Sequence, residues 1–222
     1  MNVNKSSQFS SRLCGLVKII IFILILLIGS LIVFVTSRYL DPSDLGGYLA
    51  YRSEETVNLI RHSVLIHATS SYLVLLLASL LIFFRIEQNS PRVHRTIGKL
   101  IVFSTLLFLV PTGFVLSYHA LGGISGKMLF GLLTLLSLLF IAQGFYTALK
   151  RKVYHHRKWM LRFFIVLSSA IWLRINLFIC FQVKWIISEN DYLWCAILSW
   201  VPQLVILELY FWWKDKNRTV QM

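Results

Sequence analysis

Five histidines in this sequence stand where chemistry could be done. His67 shares a helical face with Ser63, Ser70 and Ser71, at spacings of three and four residues. His119 ends an apolar stretch and is followed by Gly122 and Gly123. His94, with Arg95, precedes one apolar run, and His155 and His156 precede another. Imidazoles on separate helices of a bundle are how b-type haem is held between membrane spans. Neutral imidazole is also a common ligand for metal ions. A second set is charged: Arg162, Arg174 and Glu208 lie within or at the edge of otherwise uncharged stretches. A charge at mid-span costs about 2.5–3.5 kcal/mol on insertion scales, so such a side chain faces protein or water.

The elements that must position these residues follow from composition. Of 222 residues, 57% are hydrophobic and 14% are charged. A soluble domain is about 45–50% apolar and about 25% charged. So apolar a chain cannot cover a water-soluble globule with polar surface. That disfavours a secreted domain, a cytosolic enzyme and a disordered tail. A spanning helix needs about 20 mostly apolar residues to cross about 30 Å of hydrocarbon. Six runs qualify: Ile19 to Ser37, His62 to Phe84, Leu100 to Gly126, Met128 to Leu149, Phe163 to Val183 (broken only by Arg174) and Tyr192 to Trp213 (broken only by Glu208). The expected fold is an all-α integral membrane bundle of six transmembrane helices, with spans two to five as a four-helix core. Residues 1–15 are read as a cytoplasmic amino-terminal segment, 16–213 as the membrane domain and 214–222 as a cytoplasmic tail. The first run exceeds the roughly 7–15 residues of a signal-peptide core and no A-x-A-like site follows it, so a retained span is expected.

The formal charge of +13 has its own pattern. Lys5, Arg12 and Lys18 precede span one. Arg85, Arg92, Arg95 and Lys99 lie between spans two and three. Lys150 to Lys152, Arg157, Lys158 and Arg162 flank the start of span five, and Lys214, Lys216 and Arg218 follow span six. These sixteen fall on one side; Arg38, Arg52, Arg61, Lys127 and Lys184 fall on the other. The positive-inside rule then puts both termini in the cytoplasm, in what is expected to be a bacterial cytoplasmic membrane. The basic excess suits anionic lipid headgroups on that face and needs no nucleic-acid partner. The stretch from Arg38 to Arg61 reads as a small surface loop. Cys180 and Cys195 fall near the outer ends of neighbouring helices, so a disulfide is geometrically feasible, although a membrane cysteine is usually just a small apolar residue.

Depth sorts the polar residues. Arg162 lies four residues past Lys158, about 6 Å in, and Glu208 lies six residues before Lys214, about 9 Å in. An ion pair between spans five and six is therefore expected. His67, His119 and Arg174 sort to the outer side; His94, Arg95 and His156 sort to the inner side with Arg162 and Glu208. A haem at each level meets an objection. His94 and His119 are 25 residues apart, about 37 Å of helix, which exceeds the hydrocarbon thickness. Imidazole-bound metal ions, a polar substrate or lipid site, and histidines that merely anchor helix ends are the alternatives. Trp194, Trp200, Trp212 and Trp213, with Tyr192 and Tyr210, read as interfacial belts. No phosphate loop, zinc CxxC pair, HExxH or serine nucleophile motif is present.

The order of these residues resembles a known family. The pieces are His67, then His94-Arg95-Thr96-Ile97-Gly98, His119-Ala120-Leu121-Gly122-Gly123, and His156-Arg157-Lys158-Trp159-Met160-Leu161-Arg162. Arg174, Trp200-Val201-Pro202 and Glu208 follow. From about His62 to Trp213 the chain is similar to the predicted bacterial membrane proteins grouped as domain-of-unknown-function family 2306. It departs in having serines and leucines where the family has glycines in span two, and in Lys99 where the family tends to have Arg. The resemblance implies a multi-span bundle, distantly similar to the transmembrane b-type cytochromes. It brings no activity with it.

The reading is thus a multi-pass membrane protein that binds b-type haem or a metal and passes electrons. His67 and His119 are the expected outer ligands, His94 and His156 the inner ones, and Arg95, Arg162, Arg174 and Glu208 support them. One rival is a non-catalytic, transporter-like or lipid-interacting bundle whose histidines and arginines are structural. A second is a membrane enzyme acting on a lipid or quinone.

Overall fold

The computed structural model describes residues 3–38, 53–182 and 188–219, and they are almost entirely helical. Six helical stretches among them are long and apolar enough to cross a membrane, as the sequence predicts. Most of the stretch read as a surface loop, and Lys184, lie outside the described residues. The first span is α1 (Val3–Ser37). The second is α2 (Glu54–Phe84), started by Ser53, whose hydroxyl accepts the Thr56 N–H. It ends at Arg85, in the left-handed conformation, and a single turn, α3 (Ile86–Asn89), turns the chain back.

The third span starts earlier and ends earlier than its apolar run. Pro91 opens α4 (Pro91–Ser104), where its missing N–H costs nothing. His94, Arg95 and Lys99 therefore ride on the helix below the hydrocarbon rather than preceding it. A π-helical turn follows over Thr105–Leu109, then α5 (Val110–Tyr118). Pro111 cannot donate to the Leu107 carbonyl, and the wider turn absorbs that defect, with Val110 N–H reaching back to Thr105. Gly122 then reverses the chain at φ 87 and α6 (Gly123–Leu149) begins. A side chain at Gly126 would sit 1.8 Å from the Leu121 carbonyl oxygen, so this turn closes only over glycine.

The fifth span is α7 (Val153–Gln182), about 45 Å long at the helical rise. It is too long for the hydrocarbon alone, so its first turns carry His156, Arg157 and Lys158 into the headgroup layer. The sixth span is broken into α8 (Glu189–Leu198) and α9 (Val201–Thr219). Pro202 cannot serve the Leu198 carbonyl, and the Gln203 side chain donates to it instead, at 3.2 Å. Trp200 sits at this break and is buried, so it is no part of an interfacial belt; Trp194, Trp212 and Trp213 are exposed.

The core lies between spans two and five. Val74, Leu75 and Ala78 of α2 meet Ile101 of α4, Val110 of α5, Phe140 and Ile141 of α6, and Phe163, Val166 and Ile171 of α7. From α1, Ile25 is buried among them, and Ile28 and Ile32 pack against the cluster. The rest of α1 displays its leucines and isoleucines outward, as a lipid-facing helix should. Among the described residues, the buried hydroxyls bond back along their own helices. Ser79, Thr105, Thr134, Ser137, Thr147 and Ser168 each donate to a carbonyl three or four residues back. They pack as small residues that satisfy themselves.

Candidate functional site

At the basic end of the bundle, His94 on α4 and His156 on α7 face each other. Their ring centroids are 6.5 Å apart and the planes are nearly perpendicular, at 78°. The two helices lie across the core from one another, so this pair spans its mouth. His156 Nδ1 is 2.8 Å from the Gly144 carbonyl oxygen on α6. A carbonyl only accepts, so Nδ1 carries a proton, and in the neutral tautomer this fixes, Nε2 is the nitrogen with the lone pair. His94 Nδ1 is buried without a hydrogen-bond partner. Arg157 and Glu87 form an ion pair at 3.2 Å close enough to act on His94. Arg95 points away: it is exposed, and its Nε donates to the Pro91 carbonyl of its own helix.

The donor set has the chemistry of a ligand pair. A ligating imidazole almost always gives its other N–H to a carbonyl or carboxylate, which fixes ring and tautomer. Gly144 does this for His156. Two imidazoles bound at about 2 Å to one ion put their ring centres about 5–6 Å apart, close to the separation seen.

At the opposite end, His67 of α2 points at α5. Its Nδ1 is 3.1 Å from Thr112 Oγ1. The Thr112 hydroxyl spends its proton on the Phe108 carbonyl, so the imidazole N–H is the donor. Glycine at 113 makes room for Thr134 of α6, whose Oγ1 would lie 2.9 Å from a Cβ there, while the His67 ring would be in ordinary contact at 3.5 Å. Arg174 of α7 is near enough for its charge to act on His67, and its guanidinium donates to the Ala170 carbonyl at 2.9 Å. His119 does not share this slot. It lies seven residues past Thr112, about 10 Å further out along the helix. There it meets the Tyr118 ring and lines a groove open to the surface with Ser63, Phe114 and Val115.

The expected Arg162–Glu208 pair is formed and is bidentate: Nε to Oε1 at 2.5 Å and a terminal nitrogen to Oε2 at 2.8 Å. The guanidinium is flanked by the Trp159 and Phe211 rings, at 4.5 and 5.1 Å. One turn nearer the basic end, Lys158 pairs with Asp215 at 2.7 Å, and the Tyr154 hydroxyl bonds the same carboxylate. Residues 154, 158 and 162 stand at successive turns of α7, so the contacts form a ladder that fastens α9 to it.

Sequence reasoning did not single out Gly144, Thr112, Gly113 or Thr134. Nothing in a backbone carbonyl or a small residue announces which histidine it will meet. The Lys158–Asp215 rung did leave a signal, since Lys158 stands one turn from Arg162 on the same face. Among the described residues no three His, Cys, Asp or Glu side chains converge as a metal-binding group.

With the geometry in place, the chain can be set against known proteins. The profile of one family, described as a predicted membrane protein of domain-of-unknown-function type 2306, matches residues 64–211. The chain belongs to this family. The match runs from α2 to α9 and so takes in both histidine sites and the Arg162–Glu208 pair, but stops short of Asp215. Span one lies outside it, in keeping with that helix's place on the edge of the bundle. No curated protein and no solved structure matches the chain.

Proposed function

We propose that this family member is a transmembrane electron-transfer protein that holds b-type haem between His94 and His156. The observation that carries this reading is the His94–His156 pair itself: two imidazoles across the core, one locked by Gly144 and one with a buried, unpartnered nitrogen. When bound, the haem iron would supply reversible one-electron transfer. The protein's part is to present two ligand nitrogens, fix the tautomer of His156 and exclude water through the packed core above the pair. The Arg157–Glu87 pair beside the site suits the propionate end of such a group.

The second level is served by His67. Thr112 lies eighteen residues past His94, and Arg174 eighteen past His156, about 27 Å of helix in each case. That is within the hydrocarbon thickness, whereas a site at His119 would not be. We read the basic end as cytoplasmic by the positive-inside rule, with both termini in the cytoplasm, the membrane as a bacterial cytoplasmic one, and Lys150–Lys152 against anionic headgroups.

The test is an oxidised and a dithionite-reduced absorption spectrum of detergent-purified protein from haem-replete cells. A Soret band lost in His94→Ala and in His156→Ala, but kept in His119→Ala, is expected. A colourless protein overturns haem binding; iron, copper and zinc analysis then decides whether the pair holds an ion. The Arg162–Glu208 and Lys158–Asp215 ladder favours one other reading, a non-catalytic bundle that works on lipids or solutes. A colourless and metal-free protein would point to it.

A further inference from the structure

We propose that Cys180 and Cys195 form a dithiol that closes into a disulfide between α7 and α8, at the end of the bundle remote from the histidine pair. The two Sγ atoms are 3.5 Å apart. Both thiols are free, and Cys14, the third cysteine, is exposed on α1 near the other end. The helices are already held in register at this point: Asn176 Nδ2 donates to the Cys195 carbonyl at 3.1 Å. The start of α8 is fixed by a capping box, in which Ser188 Oγ accepts the Asp191 N–H and the Asp191 carboxylate accepts the Ser188 N–H. A disulfide needs its sulfurs about 2 Å apart. The sulfurs must therefore close by about 1.5 Å.

Access differs between the two sulfurs and sets the order of events. Cys180 lies two residues from the end of α7 and is partly exposed, whereas Cys195 is only 4% exposed. The oxidant is an external disulfide of the glutathione class. The Cys180 thiolate attacks one of its sulfurs, the first glutathione thiolate leaves, and Cys180 carries a mixed disulfide. The Cys195 thiolate then attacks Cys180 Sγ and expels the second glutathione thiolate. The two cysteines give up two protons and two electrons, and one oxidised glutathione becomes two reduced ones. Closure would pin the sixth span at this end, as the charged ladder pins it at the other.

The experiment uses full-length Cys14→Ser protein in detergent, incubated with either oxidised glutathione or dithiothreitol. Each sample is then denatured, freed of small thiols and labelled with a polyethylene-glycol maleimide. The reduced sample should take two labels and the oxidised sample none. Peptide mass mapping should show residues 180 and 195 joined within one chain. In Cys195→Ser, added to the same background, Cys180 should accumulate glutathione as a mixed disulfide. In Cys180→Ser the buried Cys195 should stay free and take its label in both samples. Two labels on the oxidised protein, or a bond only between separate chains, would overturn the proposal. An unmodified Cys180 in the Cys195→Ser protein would overturn the order of attack.

Discussion

His156 on α7 gives its Nδ1 proton to the carbonyl of Gly144 on α6, across 2.8 Å. The bond depends on the helices lying close, and the glycine is what permits that. A Cβ at residue 144 would stand 2.7 Å from Met160 Sδ and 3.8 Å from Trp159 Cβ. Gly144 thus sets both the helix contact and the orientation of the proposed ligand.

Gly144→Val should therefore separate α6 from α7. We expect a loss of about 1–3 kcal/mol in stability from overpacking, together with a fall of tenfold or more in cofactor or metal content, the usual scale for a lost outer-shell partner. Gly144→Ala should be milder, because the Met160 thioether can swing aside. Thermal unfolding in detergent and the Soret absorbance per protein check the two effects. Unchanged binding in a destabilised Gly144→Val protein would separate the glycine from the site.

The Arg162–Glu208 pair should respond to charge reversal. Arg162 is 15% exposed and Glu208 is 46% exposed, so each lone charge is only partly stranded. Arg162→Glu or Glu208→Arg alone should cost about 1–3 kcal/mol. The double reversal should recover at least half of that, and melting temperatures of the four proteins measure it. A double reversal no more stable than either single one would mean the pair does not act as a pair.

Span one makes its closest backbone approach to α2 at Gly29. A Cβ on Gly29 would fall 2.3 Å from two ring atoms of Tyr72, whose hydroxyl donates to the Leu26 carbonyl at 3.1 Å. Gly29→Leu should loosen α1 from α2 and leave the core of spans two to five standing. Limited proteolysis should then release α1 faster, with little change in the main unfolding transition. Added Tyr72→Ala should partly restore protection by making room.

Thr112 is the acceptor for His67. Thr112→Val keeps the shape but removes the hydroxyl partner of the His67 ring and leaves it the Leu109 carbonyl, a cost of about 0.5–1.5 kcal/mol. Thr112→Ser should be close to the parent. Comparing the two by thermal unfolding isolates the hydroxyl, and equal losses would show that packing, not the hydrogen bond, matters there.

Much of the fold was legible because its cause is local. In hydrocarbon every backbone polar group must be paired within its own helix, so a long apolar run is a helix regardless of its neighbours. The Arg162–Glu208 pair was legible for a related reason: depth follows from counting residues to the nearest basic anchor. The ends of spans three and six were less so. Pro91 and Pro202 each moved or broke a helix, and hydropathy alone does not register a missing N–H.

The sequence by itself determined the class, the six spans, their alternating course and the sorting of polar residues to two ends. Those properties depend on composition and on distance along the chain. Only the tertiary structure decided which histidine meets which partner. It set His94 against His156 and His67 against Thr112, left His119 two turns further out, and brought Cys180 beside Cys195. Such pairings depend on how each helix is rotated about its axis and how closely it packs. That is fixed by glycines such as Gly113 and Gly144, and by the π-turn at Thr105–Leu109, acting across helices rather than along one.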